Sequence, residues 1–509
     1  MRVLVFHGYL LHGTGSNVYN AELGRALVQA GHELHLLCQD RAPLDLPWVD
    51  AAGDWDAGAL ELTVRRDPPR ATVYRPDLGG LLPVYVADRY DGVEARVYQE
   101  LSEAEVAAYV ERNVAAVAEV VARGRPDVAL ANHLVMGPLI LSRALADAGV
   151  PYAVKIHGSA LEYTVKPHPR FLPAARAGVA GARGVLVGSR HTADSLWAAL
   201  DAPGLEEKTR LGPPGVDVER FVPRGPDEAA AGLAALRERL GESRDVERPD
   251  SSFARSTAEA AAALAAVEPR RDRIVVYVGK LIASKGVELL LAAWPLVLAR
   301  VPDARLLVVG FGAFRPALER LADALSRGDL GAARALRGED GRALPELAAF
   351  LDGLGPDAAA YRAAADGMAR RVLWAGRLEH SELVDVLPAA DAVAMPSTFP
   401  EAFGMVAAEA AACGALPVVA GHSGMAEVAR ALAQAAPPAV RPWLTFEVGP
   451  HAVSQLAGGL AAWLEAPPDL RASTRDAIVA VARERYSWDG VARSVIAAAE
   501  GRLEDLPRP

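Results

Sequence analysis

Residues 399–414 read FPEAFGMVAAEAAACG and set two carboxylates, Glu401 and Glu409, among apolar and small residues. One carboxylate could cap a helix while the other sits on a solvated face, or both could point into a site as a catalytic pair. On one continuous helix the eight-residue spacing puts them about 12 Å apart along the axis and about 80° apart around it, too far for a compact acid/base pair. The alternative spacing sets Glu401 in the loop before a helix and Glu409 more than one turn inside it. Two lysines add a complementary chemistry. In YVGKLIASKGVELLL, Lys280 follows a strand-like run and Lys285 opens a helix-like one. Ammonium groups at a strand end and a helix N-terminus suit a diphosphate, because their charges add to the helix dipole. The loop HGYLLHGTGSNVYNAELG offers a third element. Gly13 and Gly15 permit close backbone approach, and a helix starting around Asn17 presents free N–H groups to an anion. A dinucleotide fingerprint is disfavoured: Val18 occupies the third glycine position and the loop is too long, although Asp40 lies where a ribose-binding acid is expected.

These residues need elements to position them. Continuous apolar runs at 3–6, 33–38, 127–132, 152–157 and 184–189 suit strands buried on both faces of a parallel sheet. Between them lie helical patterns. In NAELGRALVQAGH, Leu23, Ala26, Leu27 and Ala30 share a face and Gly31 stands at the C-cap. The same grammar restarts at 273–280 and continues at 304–312, 370–376, 391–397 and 415–421. This predicts an α/β protein with two tandem Rossmann-like domains. The expected boundaries are 1–223 for the first domain, 224–270 for a helical insertion or linker, and 271–484 for the second domain. Residues 316–369 read as a helical insertion in the second domain, and 485–509 as a C-terminal helix packing back on the first.

Bulk properties exclude several classes. With 509 residues and a net charge of −10, the chain lacks the basic surface of a general nucleic-acid binder. Two cysteines, Cys38 and Cys413, make neither a disulfide framework nor a zinc site, and Cys413 reads as a buried small residue. No segment reads as a membrane span, so a cytoplasmic protein is expected, with peripheral membrane contact left open. Asp54-Trp55-Asp56 is the one Asp-x-Asp pair resembling a metal site, and no second carboxylate cluster supports it. No metal and no cofactor are therefore expected.

The ordered series from RRVLWAG through AADAVAMPS, the two glutamates, CGALPVVA and GHSGMAEV closely resembles the second domain of family-4 retaining glycosyltransferases. HGS at 157–159, GPPGVDVERFVP at 212–223 and RYSWDGVARSVIAA at 485–498 extend the likeness over most of the chain. The resemblance implies a GT-B fold with its domains facing a central cleft. It implies a nucleotide-sugar donor, UDP-linked first with GDP and ADP as alternatives, and an acceptor hydroxyl on an unidentified sugar, small molecule or lipid-linked glycan. By the same likeness Lys280 and Lys285 would hold the diphosphate, Glu401 the donor sugar and Glu409 the ribose. Backbone amides around Phe403, Gly404 and Met405 would face donor oxygens. Gly13, Gly15 and Ser16 would approach from the first domain, and His157 would lie at the reaction centre.

This chain departs from the family at Lys280, where arginine is usual and a point charge replaces a bidentate fork. It departs again at Met425, beside Gly424, where a second glycine is frequent. For His133, an acceptor contact and loop packing both remain open. Retention by double displacement would require a carboxylate nucleophile, for which Glu401 is the motif candidate. Front-face transfer is the preferred route. A sugar phosphorylase or synthase on this scaffold, or a catalytically idle sugar- or nucleotide-binding protein, are the competing readings.

Overall fold

The apolar runs form the centres of two separate sheets. The computed structural model describes residues 1–13, 15–56, 58–86, 93–242 and 255–509. Its first unit comprises Met1–Gly215 and Tyr486–Pro509, and its second Val216–Arg485. The first unit contains β1 (Arg2–Phe6), β2 (Glu33–Leu37), β3 (Ala51–Asp56), β4 (Ala59–Val64), β5 (Ala71–Arg75), β6 (Leu81–Val84), β7 (Glu94–Val97), β8 (Val128–Asn132), β9 (Tyr152–Lys155), β10 (Gly184–Val187) and β11 (Thr209–Leu211). Nine of these form one sheet in the order β11-β10-β9-β8-β1-β2-β5-β3-β4, while β6 and β7 pair apart. Within the large sheet only β4 runs antiparallel to its neighbour. The strands β8, β9 and β10 are fully buried and mostly apolar, with Asn132 closing β8 and Lys155 closing β9. By contrast β4 lies at the edge with one buried residue, Leu60.

The second unit contains β12 (Arg273–Val278), β13 (Ala304–Val309), β14 (Val372–Gly376), β15 (Ala392–Met395), β16 (Leu416–Ala420) and β17 (Thr445–Phe446). They form an all-parallel sheet in the order β14-β13-β12-β15-β16-β17. From β12 the chain winds outward to β13 and β14, then returns to β15 on the other side. The carboxyl ends of β12 and β15 therefore flank a topological switch point, where open α/β sheets bind ligands. In the first unit β1 and β8 make the equivalent switch.

The passage between units differs from the boundary expected at residue 223. Residues 216–223 belong to the second unit, where Phe221 is 1% exposed and its ring lies 5.2 Å from that of His380. Of the 224–270 stretch, read as a helical insertion or linker, residues 243–254 lie outside the described residues, while 224–242 and 255–270 belong to the second unit. Its helix Pro226–Glu242 buries Leu233, Leu236 and Leu240, and Arg224 and Arg239 both bind Asp385, at 2.7 and 2.6 Å. A second helix, Thr257–Ala265, carries Glu259, which pairs with Arg315. The 316–369 block forms short helices, one of them tied in by Tyr361, whose hydroxyl donates to the Ala292 carbonyl at 2.8 Å. The C-terminal helix Trp488–Glu500 buries Val491, Val495 and Ile496 in one core with Leu23 and Leu27 of the first unit. Both cysteines are free and buried. Among the described residues, no helix is long and apolar enough to cross a membrane.

Candidate functional site

At the second unit's switch point, β12 delivers Lys280 and a short 3-10 turn, Ala283–Lys285, while β15 delivers Ser397 and Glu401. Gly286 links the turn to helix Val287–Arg300 in a left-handed conformation, φ +65°. A Cβ there would sit 1.9 Å from the Pro396 carbonyl oxygen, so only glycine lets the two loops close on each other. That closure brings Lys285 Nζ into an ion pair with Glu401 Oε1. The Ser397 hydroxyl lies 2.9 Å from the same carboxylate oxygen. Lys280 is half-buried, and its carbonyl accepts from the Tyr277 hydroxyl at 2.8 Å. Glu339, from the 316–369 block, accepts the Ala283 N–H at 2.8 Å and so braces the lysine turn.

The GHSG segment holds Glu401 from behind. The His422 imidazole Nε2 donates to the Ser397 carbonyl at 2.9 Å, which leaves Nδ1 to accept from the Ser423 hydroxyl at 3.2 Å. Ser423 in turn accepts the Glu401 N–H at 2.9 Å, and the Gly424 N–H donates to the Glu401 carbonyl at 2.9 Å. A Cβ on Gly424 would stand 2.6 Å from the Ala402 carbonyl. Met425 is fully buried beneath Gly404.

Helix Met405–Ala412 starts just past this loop, with no side chain capping its first turn. Its N–H groups are thus available to an anion or a sugar oxygen. Glu409 lies just over one turn inside it. The residue is 2% exposed, and Oε1 accepts from His380 Nε2 at 2.7 Å. The neighbouring Cys413 thiol is pushed up by burial and by the Glu409 charge.

In the first unit the glycine-rich loop is held by its polar residues. His7 Nδ1 accepts from Asn20 Nδ2 at 3.0 Å, and Nε2 faces both Asn17 Oδ1 and the Leu10 carbonyl at 3.0 Å. Asp40 accepts from the Leu11 and Ala42 amides at 2.9 and 3.1 Å and from His12 Nδ1 at 3.0 Å. Burial opposes its ionisation, but these hydrogen bonds outweigh it and hold the carboxyl below its ordinary range. Asp40 is therefore committed to loop shape. Gly13 has φ +90°, helix Gly15–Gln29 begins at Gly15 rather than Asn17, and the Ser16 carbonyl accepts from Asn20 at 2.8 Å. Asp54 pairs with Arg75 at 2.6 Å, and the Asp56 side chain lies outside the described residues. Among the described residues, no group of three or more His, Cys, Asp or Glu could hold a metal ion.

His157 follows β9. Its Nε2 donates to Asn132 Oδ1 at 2.7 Å, an amide oriented by its own bond to the Phe6 carbonyl at 3.1 Å. Part of the ring is exposed, yet its packed surroundings lower its pKa well below the ordinary value. Burial is the main cause, followed by His133, Lys155 and His7 as like charges. The ring is thus neutral near pH 7, with Nδ1 as an acceptor. His133 is 2% exposed, and neither ring nitrogen has a hydrogen-bond partner. Its ring centroid lies 4.8–5.6 Å from those of Tyr85, His157, Tyr9 and His7. The structure therefore favours packing for His133.

This histidine cluster has a measurable consequence. Burial lowers the pKa of His7 to about 4 and carries His133 and His157 well below 6.5. Below pH 6.5 the unfolded chain binds protons that the folded unit refuses, so stability falls with pH, by about 1.4 kcal/mol per pH unit for each such histidine. From pH 7 to 5.5 the first unit is expected to lose roughly 3–4 kcal/mol in urea unfolding. Glu288 in the second unit acts in the opposite sense, since burial raises its carboxyl to about 8. A first-unit transition that does not move over this interval would contradict the assignment.

Sequence reasoning missed His380, Ser397, His422, Ser423 and Glu339. Ser397, His422 and Ser423 lay inside the quoted motifs, but nothing in their spacing shows that they converge on Glu401. His380 and Glu339 had no local signal.

Residues 265–478 match the family profile described as glycosyl transferases group 1, and residues 14–206 match the glycosyl transferase 4-like domain. The chain is 28% identical over 218 residues to a GDP-mannose-dependent monoacylated alpha-(1-6)-phosphatidylinositol monomannoside mannosyltransferase of Corynebacterium glutamicum. That match spans 42% of this chain and 38% of the relative. Identity to the D-inositol 3-phosphate glycosyltransferase of Xylanimonas cellulosilytica is 27% over 412 residues, 81% of this chain and 76% of the relative. Among solved structures, sucrose-phosphate synthase from Thermosynechococcus elongatus superposes with a TM-score of 0.60 at 18% identity, covering 99% of both chains. The Anabaena protein HepE in complex with UDP and glucose gives 0.58 at 16% identity, covering 99% of this chain and 100% of that one. At such identities these structures speak for the fold alone, and that fold is GT-B.

Proposed function

We propose, for a chain that belongs to the glycosyl transferases group 1 family of family-4 type, transfer of a sugar from a nucleotide-sugar to an acceptor hydroxyl with retention at the anomeric carbon. One observation carries this reading. Lys285 and Glu401 pair where the loops after β12 and β15 meet, Lys280 directly follows β12, and helix Met405–Ala412 begins just past Glu401 with Glu409 one turn along. The assigned roles are diphosphate for Lys280 and Lys285, sugar hydroxyls for Glu401, and ribose for Glu409. The amides of Phe403, Gly404 and Met405 are assigned to donor oxygens. In the first unit, Gly13, Gly15 and Ser16 are assigned to the donor phosphates, and neutral His157 is assigned a hydrogen bond from a sugar hydroxyl.

In this reading the anomeric carbon–phosphate oxygen bond breaks as the acceptor oxygen bonds the same carbon. The acceptor proton passes to a leaving-phosphate oxygen, and the lysines and helix amides stabilise the diphosphate. The bonds from Lys285 and Ser397 to Glu401 support a binding role over a nucleophilic one. The cationic groups meet the diphosphate charge without a required divalent ion. UDP-sugars are the first donors to test, with GDP-mannose beside them because one relative is named for it. Inositol phosphates join the acceptor panel on the name of the other.

The test incubates the purified chain with UDP-, GDP- and ADP-sugars and acceptor mixtures, with and without EDTA. Acceptor-dependent release of nucleoside diphosphate, a product of unchanged anomeric configuration by NMR, and insensitivity to EDTA are expected. Absence of turnover with every donor would overturn the catalytic reading. In the same chain, Glu409→Ala is expected to weaken binding of free nucleoside diphosphate about tenfold, near 1.4 kcal/mol. A change confined to acceptor affinity would remove the ribose assignment.

A further inference from the structure

A second concave site lies at the other end of the same sheet. Asp391 precedes β15, whose far end leads to Ser397 and Glu401, so four strand residues, about 13 Å, separate the two regions. Helix Met405–Ala412 spans a similar distance, from the Glu401 loop to Cys413 and Gly414. At Gly414 there is a hollow of about 540 Å³, a size that suits small-molecule ligands. Its lining includes Trp463, Pro468 and one ridge of helix Pro468–Arg485: Arg471, Arg475, Val479 and Arg483. These four stand at successive i+4 positions and therefore share a face, about 6 Å apart along the axis.

The cations there outnumber their counter-charges. Arg471 binds Asp391 at 3.0 Å, and Arg273 lies 3.9 Å from the same oxygen. That carboxylate also accepts the Ile274 N–H at 2.9 Å, so its capacity is largely used. Among the described residues, neither Arg475 nor Arg483 has a carboxylate within ion-pair distance, and Asp476 is the one other acid on the lining. Arg475 crosses Gly414, where a Cβ would meet its Nε at 3.1 Å, so glycine leaves room for the guanidinium. Burial, together with the Arg273 and Arg475 charges, lowers the Arg471 pKa against the opposing pull of Asp391. An arginine cluster of this kind gains from an added anion, and guanidinium forks match phosphate oxygens in geometry.

We propose that this hollow is a second anion site, which takes the phosphate monoester or diphosphate group of a small metabolite or of a lipid headgroup. It is separate from the donor-side lysines and does not depend on the function proposed above. The Arg475 and Arg483 guanidinium groups donate to the phosphate oxygens, and Arg471 adds charge from the wall. The apolar parts of Val479, Pro468 and Pro223 contact the body of the ligand.

The test uses the full chain carrying Lys280→Ala and Lys285→Ala, so that the donor-side cations cannot account for binding. Inorganic pyrophosphate is titrated by calorimetry. Phosphatidylcholine vesicles with and without phosphatidic acid are tested by co-sedimentation. Saturable pyrophosphate binding, weakened at least tenfold by adding Arg475→Gln and Arg483→Gln, would establish the site for soluble phosphates. Sedimentation with phosphatidic acid vesicles alone, abolished by the same two changes, would assign it to a headgroup. Both arginines lie on the lining of a surface hollow, and an unchanged circular dichroism spectrum confirms folding of the variants. Binding in neither arm, or binding that the arginine changes leave intact, overturns the proposal.

Discussion

Lys285→Ala is expected to lower kcat/KM for the nucleotide-sugar by 10²–10³-fold, about 3–4 kcal/mol of transition-state stabilisation. Two losses add. The diphosphate loses a cation positioned before it arrives, and Glu401 loses its ion-pair partner. The Glu401 side chain is only 23% exposed, so its charge is poorly hydrated once Lys285 is gone. It would then repel the incoming phosphates, and Ser397 alone cannot compensate it. Glu401→Gln added to Lys285→Ala should therefore recover part of the loss. Coupling between contacting residues of this kind is typically about 0.5–3 kcal/mol. Steady-state kinetics over donor concentration, with calorimetric binding of free nucleoside diphosphate, checks both statements. Donor affinity and turnover equal to those of the parent chain would remove Lys285 from the phosphate role. Strictly additive variants would mean that the ion pair does not govern the site.

Gly286→Ala is expected to destabilise the second unit by roughly 3 kcal/mol or more, among the larger effects of a single added methyl. The left-handed backbone, φ +65°, costs an L-residue about 1–2 kcal/mol by itself. The larger cause is contact, since the new Cβ would fall 1.9 Å from the Pro396 carbonyl oxygen, on backbone that cannot rotate away. Relief requires the lysine turn and the Ser397 loop to separate, which pulls Lys285 from Glu401. Stability and donor binding should therefore fall together. Gly341→Ala separates the two contributions: its φ is +79°, but nothing lies within 4 Å of the added Cβ. It should cost only the backbone strain, about 1–2 kcal/mol, and leave donor binding intact. Urea unfolding of both variants checks the difference. Equal costs would show that the loops can part freely.

The chain by itself determined the two-sheet α/β plan. Strands buried on both faces are mostly apolar, with Asn132 and Lys155 as exceptions at strand ends, and such runs are legible without any partner. It also marked Lys280 and Lys285, one after a strand and one at a helix start, while Glu401 and Glu409 stood out through the ordered motif series that resembles family-4 glycosyltransferases. Only the folded structure identified β3, β4 and β5 as part of the large sheet. They lie toward its edge, where β4 has a solvated face and short polar-broken sequences carry little periodicity. Folding likewise decided that residues 216–242 and 255–270 join the second unit, since that choice rests on Phe221, Leu233 and Leu236 finding partners distant in the chain. The same holds within the site. Glu401 is oriented by Lys285, Ser397 and Ser423, and Glu409 by His380. A hydrogen bond between residues far apart in sequence leaves no local pattern, and the Lys285–Glu401 pair exists only once the loops after β12 and β15 have met across Gly286.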